Sequence, residues 1–301
     1  MITLTPWLRE AVPGPCTIDA LGEHTPQPCH HAHPQSVQRP LLQRTKSKSS
    51  QREPQPAPRP AYQPTPRETT IRAVMIIDIH GHYTTAPTQL RDWRLRQIES
   101  AGTPFTEPLT ITDDEIRETV GTKQLKNQQD RGTDVALFSP TAGGMAHHYG
   151  DEQTSIQWTS TVNDLVYRVH KLFPENFIPV LQLPQSPGAS PANSIPELEF
   201  RVKEQGFVAC NLNPDPTDGY WTEPAMTSKE WWPLLEKIEE LEVPAMIHVS
   251  MSCNPQFHGT GAHYINGDTV AFMQFITSQI FKDFPNLKIV IPHGGGAVPY
   301  H

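Results

Sequence analysis

The sequence predicts an α/β fold, a TIM-like (β/α)8 barrel with about six β/α units present, behind a disordered N-terminal tail. Three observations predict it. Short, near-continuous aliphatic runs recur from residue 74 onward, as in strands buried on both faces of a parallel sheet. Helix-patterned stretches separate them, so strand and helix alternate along the chain. No Gly-rich phosphate fingerprint follows the first run, which turns the choice from a doubly wound nucleotide-binding sheet toward a barrel.

The strand runs are VMIIDI (74–79), DVALFS (134–139), FIPVLQL (177–183), FVACNLN (207–213), PAMIHV (244–249) and KIVIPH (288–293). In the first, the period of two sends Asp78, His80 and His82 to one face, with Ile77 and Ile79 toward covering helices. TDDEIRETVGTKQLKNQQDRG reads as a helix with Thr112 as N-cap, acids in its first turn and Gly132 as its stop. SIPELEFRVKEQG and TSKEWWPLLEKIEELE follow the same grammar, and the tryptophans of the latter are expected to pack. In GDTVAFMQFITSQIFKDFP the apolar stripe is Val270, Met273, Ile276 and Ile280.

The chain of 301 residues is long enough for a substantial core, yet 36% of it is hydrophobic and 32 residues are proline. Much of that oddity sits in residues 1–73, which hold thirteen of the prolines and runs such as QREPQPAPRPAYQPTPRE. Such a segment buries too little apolar surface to offset its ordering entropy, so disorder is expected over 1–73 and a barrel over 74–301. The tail carries a charge of about +4, leaving about −12 on the remainder of a chain whose formal total is −8. An acidic body argues against a nucleic-acid surface. No apolar run approaches the ~18 residues of a membrane span, and no secretory signal is legible at the N-terminus. Four cysteines, at 16, 29, 210 and 253, show no disulfide-like spacing, so a reducing, cytoplasmic setting is the expectation. The CHHAH cluster (Cys29, His30, His31, His33) has no second ligand pair at a finger-like distance.

The histidines carry the chemistry. His80 and His82 end the first strand, His248 ends the fifth, and His293 ends the sixth, all on the rim where barrels place their sites. His-x-His on a strand offers two imidazole donors at a separation suited to a divalent ion such as Zn²⁺, and His248 adds a third. His147 and His148 lie on a loop of the same rim and read as solvated. Asn211 and Asn213 are possible carboxylate contacts, while His258 and His263 flank the GTGAHYIN loop without a ranked role. The HGGG after the sixth strand has no accompanying G-x-S-x-G elbow, so its glycines serve close backbone approach or unusual φ rather than an esterase oxyanion hole.

MIIDIHGHYTTAP, HGTGAHYINGDT and HGGGAVPYH, occurring in that order, resemble the amidohydrolase superfamily, in its branch of metal-dependent decarboxylases and hydratases. Within that branch the motifs look most like the 4-oxalomesaconate hydratases of protocatechuate and gallate catabolism. The likeness covers about residues 75–301, and Met75 stands where a family chain would begin, which suggests an upstream start-codon artefact for the extension. It implies one zinc ion held by His80, His82 and His248, with Tyr264 and His293 as catalytic side chains beside a small tricarboxylate substrate. It also implies an acidic ligand and base from a later strand, a position this chain does not reach, so a partial site with reduced activity is expected. A decarboxylase of the same superfamily and an inactive, metal-retaining fragment stay open as alternatives. A homo-oligomer stays open too.

Overall fold

The computed structural model describes residues 75–141, 146–257 and 261–300, together with an antiparallel pair of two-residue strands, Thr17–Ile18 and His24–Thr25. Apart from that pair, the extension expected to be disordered and the CHHAH cluster lie outside the described residues.

Six strands, β1 (Ile77–His82), β2 (Val135–Ser139), β3 (Phe177–Gln182), β4 (Ala209–Leu212), β5 (Ala245–Ile247) and β6 (Ile289–Val290), form one sheet in sequential order. All five pairings are parallel. A doubly wound sheet would reverse its strand order at a switch point. Strict succession without reversal is the winding of a (β/α) barrel, here an arc of six strands.

β1 begins three residues later than the aliphatic run suggests and extends through both histidines. Its register against β2 shifts between Asp78 and Gly81. A Cβ at Gly81 would stand 2.8 Å from the Leu137 carbonyl oxygen, so glycine is what lets the two backbones close at the bulge that aims His80 and His82.

Ile77 and Ile79, expected under helices, are 51% and 50% exposed. β1 is an edge strand, and its outer face lacks a helical cover among the described residues. The same correction applies to α7 (Gly261–Thr277), where Val270, Met273 and Ile276 face outward. That helix instead buries His263, Gly267, Asp268, Ala271 and Phe275. Its polar face points at the chemistry, which inverts the usual apolar-inward rule.

Elsewhere the core follows the expected layers. Phe138, Leu181, Cys210, Leu212 and Ile247 on the strands form one cluster with Val166, Val169, Leu198, Leu234 and Ile238 on the helices. Thr112 caps α2 (Asp113–Thr119) through a reciprocal capping box with Glu115, and Gly132 closes the segment at φ +74° after a π-turn interrupts it. Trp231 is buried and Trp232 meets Phe284 edge-on, as packing residues should.

Two helices escaped the sequence reading, α1 (Thr88–Glu99) and α4 (Glu152–Leu172). The first buries Arg94 and Gln97, which dilutes its apolar stripe; the second buries Thr159 and Asn163 beside a clear stripe of Trp158, Val162, Leu165, Val166 and Val169. Asn163 meets the end of β3 as a surrogate strand, donating to the Gln182 carbonyl at 2.9 Å and accepting from its N–H at 3.0 Å. Its amide also reaches Glu197 on α5 (Ile195–Gln205), which accepts from the buried Arg201 guanidinium.

Candidate metal centre and active site

Three strand ends bring three imidazoles to one point. His80 and His82 stand at the tip of β1, and His248 follows β5, its own N–H donating to the Leu212 carbonyl. The three Nε2 atoms lie 2.9 Å (His80 to His248), 3.1 Å (His80 to His82) and 2.8 Å (His82 to His248) apart.

The far side of two rings fixes their tautomers. His82 Nδ1 lies 2.8 Å from the Pro140 carbonyl oxygen, and His248 Nδ1 lies 3.0 Å from that of Val249. A carbonyl can only accept, so each Nδ1 carries the hydrogen and each Nε2 presents a lone pair. Two lone pairs at 2.8 Å repel unless a cation lies against them. Protons are poor candidates for that cation. Burial, then its histidine neighbours, holds His248 well below the ordinary imidazole range, and burial followed by His80 brings His82 to about 4. His80 is lowered by burial and then by His293. Three inward-facing imidazole Nε2 atoms, two of them on rings whose Nδ1–H is anchored on a backbone carbonyl, fit the donor set of a divalent metal.

His293 joins from β6. Its ring centroid is 5.1 Å from that of His80, and its Nδ1 donates to Asp268 Oδ2 at 2.7 Å. Tyr264 stacks on its face at 5.7 Å with a 6° interplanar angle. Tyr264 and Asp268 sit four residues apart on α7, hence on one helical face. His293 holds φ at +52°, a left-handed conformation that costs a non-glycine residue about 1–2 kcal/mol, and Gly294, Gly295 and Gly296 continue it. The turn is fastened to α7, where Ala297 N–H donates to Thr269 Oγ1 at 2.8 Å. A Cβ on Gly296 would meet the Thr269 nitrogen at 2.8 Å, so these glycines do serve close approach.

The structure therefore brings together His80, His82, His248, His293 and Tyr264, and adds Asp268, which sequence reasoning missed. A second missed acid is Asp218, in the loop after β4, at φ +58° and 1% exposed. Burial raises its carboxyl to about 7, against a short hydrogen bond from Ser250 Oγ. His148 Nε2 is 3.8 Å from Asp218 Oδ2 and 3.7 Å from Cys253 Sγ. Among the described residues Cys210 is a free, buried thiol. Asn213 is committed to its own loop, its side chain accepting from Asp215 N–H, whereas both amide atoms of buried Asn211 lack a partner among the described residues. His263 is buried, and His258 lies outside the described residues.

His147, expected to be solvated, is fully buried against Ser155 Oγ at 2.7 Å. Burial, then the Arg94 charge, lowers it from 6.5 to about 3. Below pH 6.5 the unfolded chain takes up a proton that the folded one refuses. This group's stabilisation is therefore complete above 6.5 and is lost as pH falls toward 3, at up to about 1.4 kcal/mol per pH unit. Asp218 acts in the opposite sense between 3.8 and about 7, so the informative quantity is a difference. Wild type is expected to lose more denaturant resistance than His147→Gln between pH 7 and 5; equal losses would contradict this account.

A family model described as Amidohydrolase matches residues 77–300. The chain is 52% identical over 230 residues to the 2-keto-4-carboxy-3-hexenedioate hydratase of Sphingobium sp. (strain NBRC 103272 / SYK-6), covering 76% of this chain and 67% of that protein. The crystal structure of 4-oxalomesaconate hydratase from Rhodopseudomonas palustris superposes with a TM-score of 0.68 at 55% identity, over 75% of this chain and 65% of that one. A 5-carboxyvanillate decarboxylase from Novosphingobium aromaticivorans, complexed with manganese, shares the fold at a TM-score of 0.57 and 19% identity, over 75% and 67% of the two chains. The chain thus spans about two thirds of the length of these relatives. Among the described residues, no helix is long and apolar enough to cross a membrane. By the extent of the family match and by its identity to the Sphingobium protein, the chain belongs to the amidohydrolase family.

Proposed function

We propose that this chain is a zinc-dependent hydratase, adding water to 4-oxalomesaconate to give 4-carboxy-4-hydroxy-2-oxoadipate in aromatic catabolism. The observation that carries the reading is the meeting of three imidazole Nε2 atoms with the His293–Asp268 pair at one mouth of the barrel. The identity to two hydratases supports the substrate class.

In this reading His80, His82 and His248 hold one divalent ion. Zinc suits three neutral imidazoles, although a more distant relative carries manganese. When bound, such an ion supplies Lewis acidity, lowering the pKa of a water from 15.7 to about 7 or polarising a substrate oxygen. His293 holds or moves a proton at Nε2, the atom left after Nδ1 is committed to Asp268. Burial, then the Asp218 charge, raises the Tyr264 phenol above its ordinary range, so it stays a hydrogen-bond donor for the oxyanion side of a polycarboxylate. We place this catalytic unit in residues 74–301 and give residues 1–73 no part in it. A cytoplasmic setting accords with a multiply charged substrate that does not cross a bilayer unaided.

The test is direct. The zinc-loaded chain, incubated with 4-oxalomesaconate, is expected to consume the conjugated alkene and form the tertiary alcohol without releasing CO₂. A chelator should stop the reaction and added zinc restore it. Release of CO₂ without hydration would replace this reading with a decarboxylase, and no turnover by stoichiometrically loaded protein would overturn it.

A further inference from the structure

Asp268 has no place in the reading of the sequence, yet its carboxylate is the best-buried acid at the site, with no exposed surface. One oxygen takes the His293 Nδ1 hydrogen at 2.7 Å, and the other has no hydrogen-bond partner among the described residues. Its ion pairing among the described residues is with His293 alone. A neutral asparagine would fill the same volume without the cost of burying a charge. What a carboxylate does and an amide does not is accept unconditionally, and so dictate which ring nitrogen carries the hydrogen.

The surroundings leave His293 little other freedom. Tyr264 covers the ring face, Asp268 grips the ring edge, and the left-handed backbone places both contacts. We propose that Asp268 is a positioning residue that locks His293 as the Nδ1–H tautomer, turning a bare Nε2 toward the reacting atoms beside the histidine trio. The inference rests on the hydratase reading for its kinetic consequence, though not for the tautomer itself. The logic is that of a buried aspartate orienting a catalytic imidazole, where removing the negative charge while keeping the shape costs large factors in turnover.

Two measurements test it. In Asp268→Asn, kcat for hydration of 4-oxalomesaconate is expected to fall by about 10²–10⁴-fold while KM changes less than about threefold and bound zinc stays stoichiometric. Asp268→Glu, which keeps the charge, should recover part of the loss. A kcat within threefold of wild type, or a loss confined to KM, overturns the proposal and leaves the hydratase reading intact. The second measurement needs neither turnover nor a stable variant at position 268. ¹⁵N-resolved spectra of the wild-type chain, with the His293 signals identified by their loss in His293→Gln, should show Nδ1 protonated and Nε2 bare in the neutral ring. An Nε2–H tautomer there overturns the proposal. If the wild type proves inactive, the hydratase reading fails while this spectrum still decides the role of Asp268.

Discussion

Replacing His248 with alanine is expected to abolish stoichiometric binding of a divalent ion and to lower hydratase turnover by on the order of 10³-fold or more. The reason lies in what remains. His80 and His82 come from one strand tip, so His248 is the donor that closes the triangle from across the barrel. Its Nδ1 is anchored on Val249 and the residue is 1% exposed, so its donor atom is held in place. The same substitution should have a second signature. In the metal-free protein three Nε2 atoms crowd within 3.1 Å of one another, so removing one relieves repulsion even as it opens a small cavity. The metal-free variant should therefore melt close to the metal-free wild type, while the large melting-temperature gain that metal confers on the wild type disappears. Metal analysis of the purified variant is the check. One equivalent of ion retained by His248→Ala would remove the centre from the argument.

The largest effect on stability is expected at Arg201. Its side chain is 1% exposed, yet it is fully engaged. It reaches Glu197 at 2.7 Å and Asp164 at 2.5 Å, Gln205 at 2.7 Å, and both the carbonyl and hydroxyl of Ser160. These partners lie on α4 and α5, so one guanidinium ties two helices together behind β3. Arg201→Met fills much of the volume but leaves the Glu197 charge with only the Asn163 amide and takes the guanidinium from the Ser160 carbonyl. Breaking a buried pair from one side costs about 3–5 kcal/mol, and Asp164, being 61% exposed, recovers its share from water. Equilibrium denaturation should show the loss in midpoint with little change in slope. A variant within about 1 kcal/mol of wild type would mean the network is dispensable.

Much of the site was legible because its histidines sit on the most regular part of the chain. A period of two on β1 and abrupt endings after β5 and β6 were enough to align His80, His82, His248 and His293 on one rim. Tyr264 came from motif likeness, since nothing in the spacing of a helix says which tyrosine will meet an imidazole. Asp268 and Asp218 were not legible, for different reasons. Asp268 sits on a helix whose obvious apolar stripe is exposed, so that stripe gives the wrong inward face. Asp218 lies in a loop organised by Asp215, whose carboxylate accepts from the N–H groups of Thr217, Gly219 and Trp221. Loop geometry of that kind depends on side chains answering backbone donors, which periodicity does not report. α1 was missed for a related reason. Burying Arg94 and Gln97 blurs the hydrophobic stripe of α1, whereas the stripe of α4 is intact and was simply overlooked.

Tyr264, Asp268 and Thr269 occupy little more than one turn of α7, and the triglycine after His293 is pinned to the last of them. Imidazole, carboxylate and phenol therefore travel as one cartridge. A tilt of that helix would move carboxylate and phenol together and pull on the turn that bears the imidazole, changing how deeply the group reaches toward His80, His82 and His248. Selection for a longer or bulkier substrate could thus act on the seating of a single helix, where a scattered site would need several compensating changes at once.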